Sequence, residues 1–176
     1  MRYVAFLRAV NVGGRVVKMN ELRAICESIP LDQVSTFIAS GNVVFDSQRA
    51  RASLETSIEK KLRTALGYEV TTMVRAAPDL QGIVKHVTER GLEEGSSTRL
   101  YVGFLKLAPV AATVKAVTAL SNDIDVLSVK GSELYWICRA TFTESTIAGA
   151  RLEKLLRGPA TFRNFNTVRR LAERLA

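Results

Sequence analysis

The sequence is poor in the residues that most often build metal sites and nucleophilic sites, with one histidine and two cysteines in 176 residues. Cys26 and Cys138 each stand within an apolar pattern, so we predict two buried free thiols and neither a disulfide framework nor a zinc site. His86 lies in an otherwise mostly apolar run, which is typical of an imidazole at the edge of a core. We therefore expect no cofactor and no metal.

Long apolar runs are also missing. The longest stretch without charge lies between Asp32 and Asp46, and its serine, threonine, glutamine and asparagine exclude a membrane-spanning helix. Arg8 interrupts the apolar start of the chain before the core of a secretory signal is complete. The composition, 47% hydrophobic and 24% charged, excludes a disordered or coiled-coil protein. We expect a cytoplasmic protein that does not bind membranes.

The chain has a net charge of +8, and no acidic residue occurs in its first 20 positions. Residues 1–20 carry four basic side chains, while residues 151–176 carry seven basic against two acidic ones, a net of +5. The remaining chain is close to neutral. If the two ends meet, they form one electropositive surface that attracts phosphate or carboxylate groups. The alternative is a solvated basic face that only keeps the protein soluble.

Hydrophobic periodicity predicts an α+β protein with two subdomains of similar size. In residues 1–76 the pattern gives a strand, a helix, a hairpin turning on Ser40-Gly41, a helix closed by Gly67 and a further strand. This βαββαβ order predicts a ferredoxin-like first subdomain. Residues 77–98 are predicted to form a helix and a flexible linker.

The second subdomain is predicted over residues 99–176. Its pattern indicates βαββα followed by a basic C-terminal helix, in which Val168, Leu171 and Leu175 recur at helical spacing. We expect a groove between the two subdomains, and we expect the ligand site there.

Three polar motifs supply the candidate ligand-binding residues. The motifs at residues 8–14 and 161–167 lie in the two basic ends of the chain, and a third motif spans residues 37–45. We therefore predict that Arg8 and Asn11 lie close to Arg163 and Asn164. Glycines let backbone amides approach an anion, while Asn164 and Asn166 are both N-cap candidates for the last helix, where an anion can also bind. Turn formation and capping are the structural alternatives. The candidates are Arg8, Asn11, Gly13, Gly14, Ser40, Gly41, Asn42, Arg163, Asn164, Asn166 and Thr167.

The same three motifs carry a family resemblance. In their order and spacing, Arg8-Ala-Val-Asn-Val-Gly-Gly14, Phe37-Ile-Ala-Ser-Gly-Asn-Val-Val-Phe45 and Thr161-Phe-Arg-Asn-Phe-Asn-Thr167 resemble domain-of-unknown-function family 1697, a group of mostly bacterial cytoplasmic proteins. The sequence departs from the family pattern at Ala9, where glycine is common, and at Phe37, where tyrosine is frequent. The resemblance implies an α+β protein of two subdomains and brings no activity, substrate or cofactor.

The hypothesis that follows is a binding protein for an anionic ligand, phosphate-bearing or nucleotide-like. Nonspecific nucleic-acid contact is a second possible use of the basic surface. Sequence-specific RNA recognition is disfavoured, because the third strand has one aromatic residue, Phe45, too few for a base-stacking platform. The alternatives are an enzyme that uses the polar groups of the same groove, and a structural or self-associating protein. We expect a monomer or a weak homodimer.

Overall fold

The computed structural model describes residues 1–11, 13–38, 41–92, 98–139, 145, 147 and 149–176. Backbone contacts group the chain into two units, residues 1–81 with 171–176 and residues 82–170. This division falls inside two helices, so the predicted boundaries after residues 76 and 98 stay a prediction. Within the described ranges, no helix has both the length and the apolar composition needed to cross a bilayer.

Unit 1 contains a four-stranded antiparallel sheet in the order β2-β3-β1-β4. The central strand β1 pairs with β3 on one side and with β4 on the other. The predicted βαββαβ order is confirmed. The elements are β1 (Arg2–Leu7), α1 (Met19–Glu27), β2 (Asp32–Thr36), β3 (Asn42–Asp46), α2 (Arg51–Leu66) and β4 (Thr72–Ala76), and α3 (Ala77–Glu89) follows across the division.

Unit 2 repeats this strand order as β6-β7-β5-β8, again antiparallel throughout. The structure adds β8, which the hydrophobic pattern did not predict because three of its five residues are polar or charged. The candidate residues Arg163 and Asn164 therefore lie on a strand. The elements are β5 (Arg99–Leu105), α4 (Ala111–Thr118), β6 (Asp125–Lys130), β7 (Glu133–Cys138), α5 (Gly149–Leu156), β8 (Ala160–Asn164) and α6 (Phe165–Leu175).

The core of unit 1 forms between one face of its sheet and the helices α1 and α2. Because successive side chains of a strand point to opposite faces, Tyr3, Ala5 and Leu7 share this face. The helices bury apolar residues against them at helical spacing. Gly67 ends α2 with a φ of 77°, as predicted. The buried helix residues are Leu22, Cys26, Leu54, Ile58 and Leu62.

The outer edge of β4 is closed by carboxylates. Its outward backbone amides have no neighbouring strand, and α2 supplies their acceptors: Glu59 Oε1 accepts from Thr72 N–H at 2.8 Å, and Glu55 Oε1 from Val74 N–H at 2.9 Å. The next outward amide, that of Ala76, donates to Asp79 Oδ2 at 2.8 Å. Because these amides are occupied, β4 does not offer them to the edge strand of another chain.

The core of unit 2 contains a buried polar contact. The indole Nε1–H of Trp136 donates to Asp125 Oδ1 at 2.7 Å, and both residues are almost completely buried. The hydroxyl of Ser145 also donates to this carboxylate, at 2.9 Å from Oδ2. A buried carboxylate is tolerated when donors surround it. Asp125 thereby attaches Ser145 to the sheet.

Gly103 of β5 lies directly opposite Phe162 of β8, and their packing yields a test of the fold. A Cβ on Gly103 would lie 2.6 Å from Phe162 Cε1, and the ring is itself packed edge-on against Trp136 at 5.8 Å between centroids. We expect Gly103→Ala to lower the free energy of unfolding by about 1–3 kcal/mol. Urea unfolding measures the change.

The matched control is Gly82→Ala in α3, where nothing lies within 4 Å of the added carbon. Alanine favours a helix over glycine by roughly 0.5–1 kcal/mol, so this variant should be more stable than the parent. Equal stability of the two variants would contradict the packing of Phe162 over β5.

Candidate functional site

The glycine loop after β1 is held by hydrogen bonds of its own. Asn11 Oδ1 accepts the backbone N–H of Val17 at 2.7 Å, and the backbone N–H of Arg8 donates to Thr71 O at 2.8 Å. Gly13 and Gly14 are exposed, with φ of 66° and 79°, a region in which glycine is favoured. Asn11 thus closes the loop, while the two glycines keep their backbone open to solvent.

The β2–β3 hairpin uses its candidate residues for its own structure. A Cβ on Gly41 would lie 2.9 Å from Val10 Cγ1, and φ of this residue is 73°. Asn42 is fully buried and its Nδ2 donates to Phe37 O at 2.9 Å. Ser40 lies outside the described residues. These contacts therefore support a role in forming the turn, and not in binding a ligand, for Gly41 and Asn42.

Arg163 is a buried side chain of β8, with 8% of its surface exposed. Its Nη1 donates to Thr161 Oγ1 at 2.9 Å and to Phe162 O at 2.8 Å. Burial lowers the pKa of Arg163 to about 10. The guanidinium is thus held by its own strand, which gives it a structural role alongside any contact with a ligand.

The cap of α6 is Asn164. Its Oδ1 accepts the N–H of Asn166 at 2.9 Å, which is the hydrogen bond of an N-cap. Asn166 does not cap: it lies inside the first turn, and its own Oδ1 accepts from Arg169 Nη2 at 2.9 Å. Thr167 follows in the same turn. Of the two predicted N-cap candidates, the structure confirms Asn164.

The predicted meeting of the two chain ends involves residues of different units. Arg8 and Asn11 belong to unit 1, while Arg163 and Asn164 belong to unit 2. Their proximity, and a ligand groove between subdomains, stay predictions.

Unit 1 contains a polar cleft that the sequence motifs did not indicate. Its volume is about 450 Å³. The charged residues in its lining are three arginines, which come from three separate elements, and one glutamate. We call it the arginine cleft. The residues that line it are Arg2, Arg23, Glu27, Leu31, Gln33, Val34, Ser35 and Arg174. The sequence signal was the basic content of both chain ends, which includes Arg2 and Arg174 but does not show that they converge.

Arg2, which lines the arginine cleft, has an unsatisfied donor. Its Nε is buried and has no hydrogen-bond acceptor among the described residues. Asp46 lies opposite Arg2 on β3, and Asp32 lies opposite Asp46 on β2, yet this Nε is not paired with either of them. A buried unpaired donor costs about 1–3 kcal/mol, and more for a charged group. A bound acceptor would remove this cost.

The other two arginines are partly engaged. Arg174 Nη2 donates to Ser35 Oγ at 3.2 Å, and its guanidinium carbon lies 5.5 Å from the ring centroid of Phe37. Arg23 pairs with Glu27 at 2.7 Å on an exposed helix face. Each guanidinium has five N–H donors, so both retain donors for a further acceptor. The cleft has a net charge of +2 over its lining residues.

A bulge in β2 shapes the wall of the arginine cleft. The register of β2 against β3 shifts between Asp32 and Ser35, and Gln33 has a φ of 51°. Such a bulge bends an edge strand and interrupts its ladder. Gln33 and Ser35 both line the cleft as a result, and each has a side chain able to donate a hydrogen bond.

The reactive side chains lie elsewhere and are poorly placed for catalysis. Cys26 is a buried free thiol, as predicted, and burial raises its pKa to about 12. Cys138 is also free and buried. Among the described residues, no group of three histidine, cysteine or acidic side chains could hold a metal ion. The arrangement of the arginine cleft suits binding of an anion.

Comparison with known proteins identifies the family of this chain. A family model described as a protein of unknown function, DUF1697, matches residues 1–135. The chain belongs to this family. The DUF1697 assignment confirms the resemblance seen in the three motifs, and no curated protein matches the sequence.

A solved structure in the comparison is the conserved bacterial protein SP0830 from Streptococcus pneumoniae, which is similar to this DUF1697 chain with a TM-score of 0.72 at 22% identity. The match covers 99% of this chain and 98% of that one. It supports the fold over nearly the whole length.

The cap of α6 leads to a test with two neighbouring asparagines. Asn164→Ala should lower the free energy of unfolding by about 1 kcal/mol, because the first turn of α6 loses the acceptor of one amide. Asn166→Ala removes only an exposed contact with Arg169 and should cost no more than about 0.5 kcal/mol. Thermal and urea unfolding measure both. The reverse order would show that Asn166 is the cap.

His86 leads to a test by pH. Burial and the charges of Lys130 and Arg90 lower its pKa, and Lys130 Nζ lies 3.3 Å from its Nδ1. Since the folded state takes up this proton less readily than the unfolded chain, the stability from neutral His86 is present above the ordinary pKa of about 6.5 and is lost as the pH falls. NMR titration should give a pKa below that value, and Lys130→Met should raise it. A pKa above 6.5 would contradict the arrangement.

Proposed function

We propose that this DUF1697 protein binds a small anionic ligand that carries a phosphate or carboxylate group, and that the arginine cleft of unit 1 is the binding site. The observation that carries the proposal is the buried Nε of Arg2, which lacks an acceptor among the described residues, together with the position of Arg2 in the lining of a cleft that has two further arginines. A charged donor in this position is satisfied by an anion that enters the cleft.

The donors around the cleft favour an oxyanion over other ligands. Guanidinium groups bind carboxylate and phosphate oxygens with two parallel hydrogen bonds, and Arg2, Arg23 and Arg174 approach from a strand and two helices. Ser35 adds a hydroxyl that already contacts Arg174. Several donors from rigid elements fix the orientation of a small tetrahedral or planar anion.

Binding is a better fit than catalysis. Among the described residues that line the cleft there is no histidine, cysteine or lysine, and their single carboxylate, Glu27, is paired with Arg23 at 2.7 Å. General acid and base catalysis needs a group whose pKa lies near the working pH.

Two cysteines that are both free and buried fit a reducing compartment, so we propose that binding takes place in the cytoplasm.

The predicted contribution of the second subdomain is a separate part of this proposal. Arg163, Asn164, Asn166 and Thr167 belong to unit 2, where the first two have structural contacts. We propose that any anion bound at the start of α6 depends on these residues and is independent of the arginine cleft. Substitutions in the two places therefore distinguish the two sites.

The test is titration of the full chain with inorganic phosphate and with adenosine monophosphate, followed by calorimetry. Arg2→Gln should weaken binding about tenfold or more, the effect of losing a charge-assisted hydrogen bond of roughly 1.5–3 kcal/mol. The unliganded variant should be as stable as the parent or more stable, since a neutral amide replaces a charged group whose buried Nε has no acceptor.

The matched control is Arg63→Gln, which removes the same charge from an exposed position on α2, where Arg63 pairs only at the surface with Glu69 at 3.3 Å. Its phosphate affinity should stay within about twofold of the parent, because exposed charges act weakly through water. Equal losses in both variants, or no binding by the parent, would refute the proposal. Loss of binding only in an Arg163 variant would move the site to unit 2.

A further inference from the structure

The shared strand order of the two units allows helices at equivalent positions to be compared. The helix α1 of unit 1 carries Glu21, Arg23 and Glu27, as is usual for a helix on the outside of a sheet. Its counterpart α4 has one charged residue, Lys115, and buries only Val117 completely. Its outer face is made mostly of alanine and threonine, so α4 presents an uncommonly apolar surface.

A groove of about 620 Å³ runs between α4 and α5. Its floor is apolar, with Leu120 and Leu155 packed partly against the core and Ala112 and Ala116 alongside them. We call it the α4–α5 groove. Alanines at such positions let the backbone of another helix approach closely. The exposed apolar residues Leu107 and Val110, 82% and 70% accessible, precede α4.

The charges around the groove have one sign. Arg151, Lys154 and Arg157 are exposed and line it, and none of the described lining residues is acidic. The one acidic residue of α5, Glu153, turns its carboxylate to the backbone N–H of Ala160 at 3.1 Å. Basic residues near the C-terminus of a helix also interact favourably with the helix dipole. That interaction would explain the positive charges of α5 but not the apolar floor beside them.

We infer that the α4–α5 groove binds an acidic amphipathic helix of a partner protein. The apolar floor matches the leucine face of such a helix, and the basic rim matches acidic residues beside that face. From Ala112 to Leu120 the groove extends over about 12 Å, or two helical turns. A nucleic acid would leave the apolar floor unused, and a flat bilayer does not enter a groove between two helices.

The experiment is a fluorescence anisotropy titration of the full chain with a labelled synthetic peptide of about 18 residues, long enough to populate a helix. The peptide places leucines at i, i+3, i+4 and i+7 and glutamates on both flanks. A scrambled peptide of the same composition and a peptide with lysine in place of glutamate are the peptide controls. The acidic amphipathic peptide should bind at least about tenfold tighter than either.

Protein variants locate the binding surface. Arg151→Glu with Lys154→Glu should weaken peptide binding about tenfold or more, and Ala116→Arg, which fills the floor, should do the same without reversing the rim charge. The matched control is Lys60→Glu with Arg63→Glu, which reverses the same charges on α2 of unit 1 and should leave the affinity within about twofold. Circular dichroism confirms that each variant is folded.

Three outcomes would overturn the inference: equal binding of the scrambled peptide, equal losses in the α2 control, or no binding by the parent protein. Tighter binding of phosphatidylglycerol vesicles or of single-stranded DNA, lost in the same α5 variant, would assign the surface to lipid or nucleic acid instead. The phosphate affinity of the α5 variant should equal that of the parent, so this test is independent of the arginine cleft.

Discussion

The pairing of β1 on both sides is the constraint on which unit 1 depends. Five of its six residues are buried, so both faces of the strand are covered, and a slip of one residue would exchange the two sets of side chains between spaces that are packed for different residues. The same register fixes Arg2 at the start of the strand, opposite Asp46. The backbone of Arg2 is therefore positioned by strand pairing and not by a flexible loop.

The two edges of this sheet differ in a way that bears on function. On β4, carboxylates of Glu55, Glu59 and Asp79 occupy three successive outward amides. On β2, a bulge at Gln33 interrupts the ladder, and the arginine cleft lies beside it. The outward amides of one edge are occupied, and the other edge lies beside the proposed anion site. This contrast argues against self-association through β4 as the main role of the sheet.

Local patterns predicted most of the fold because each depends on neighbours in sequence. The β-branched and aromatic residues of β1, the helical spacing in α2 and the glycine that ends α2 are all visible in short windows, and the cap residue Asn164 is as well. β8 was missed because its polar residues hide its alternation, and only its pairing with β5 reveals it.

The arginine cleft could not be predicted in this way. Arg2 and Arg174 are at opposite ends of the chain, and Arg23 lies on a helix where its pairing with Glu27 resembles an ordinary surface contact. Their convergence is a tertiary property. Conversely, Asn11, Gly41 and Asn42 stood out as polar motifs because turns and loops need those residues, and their contacts are internal to the fold.

The anion site in the arginine cleft is tested by NMR of the arginine side chains, observed through the Nε–H groups during phosphate titration. We predict a distinct Arg2 Nε–H resonance that shifts on addition of phosphate and exchanges more slowly with water, because the buried Nε gains an acceptor. An Arg2 resonance that stays unchanged while phosphate shifts only exposed arginines such as Arg63 would contradict it.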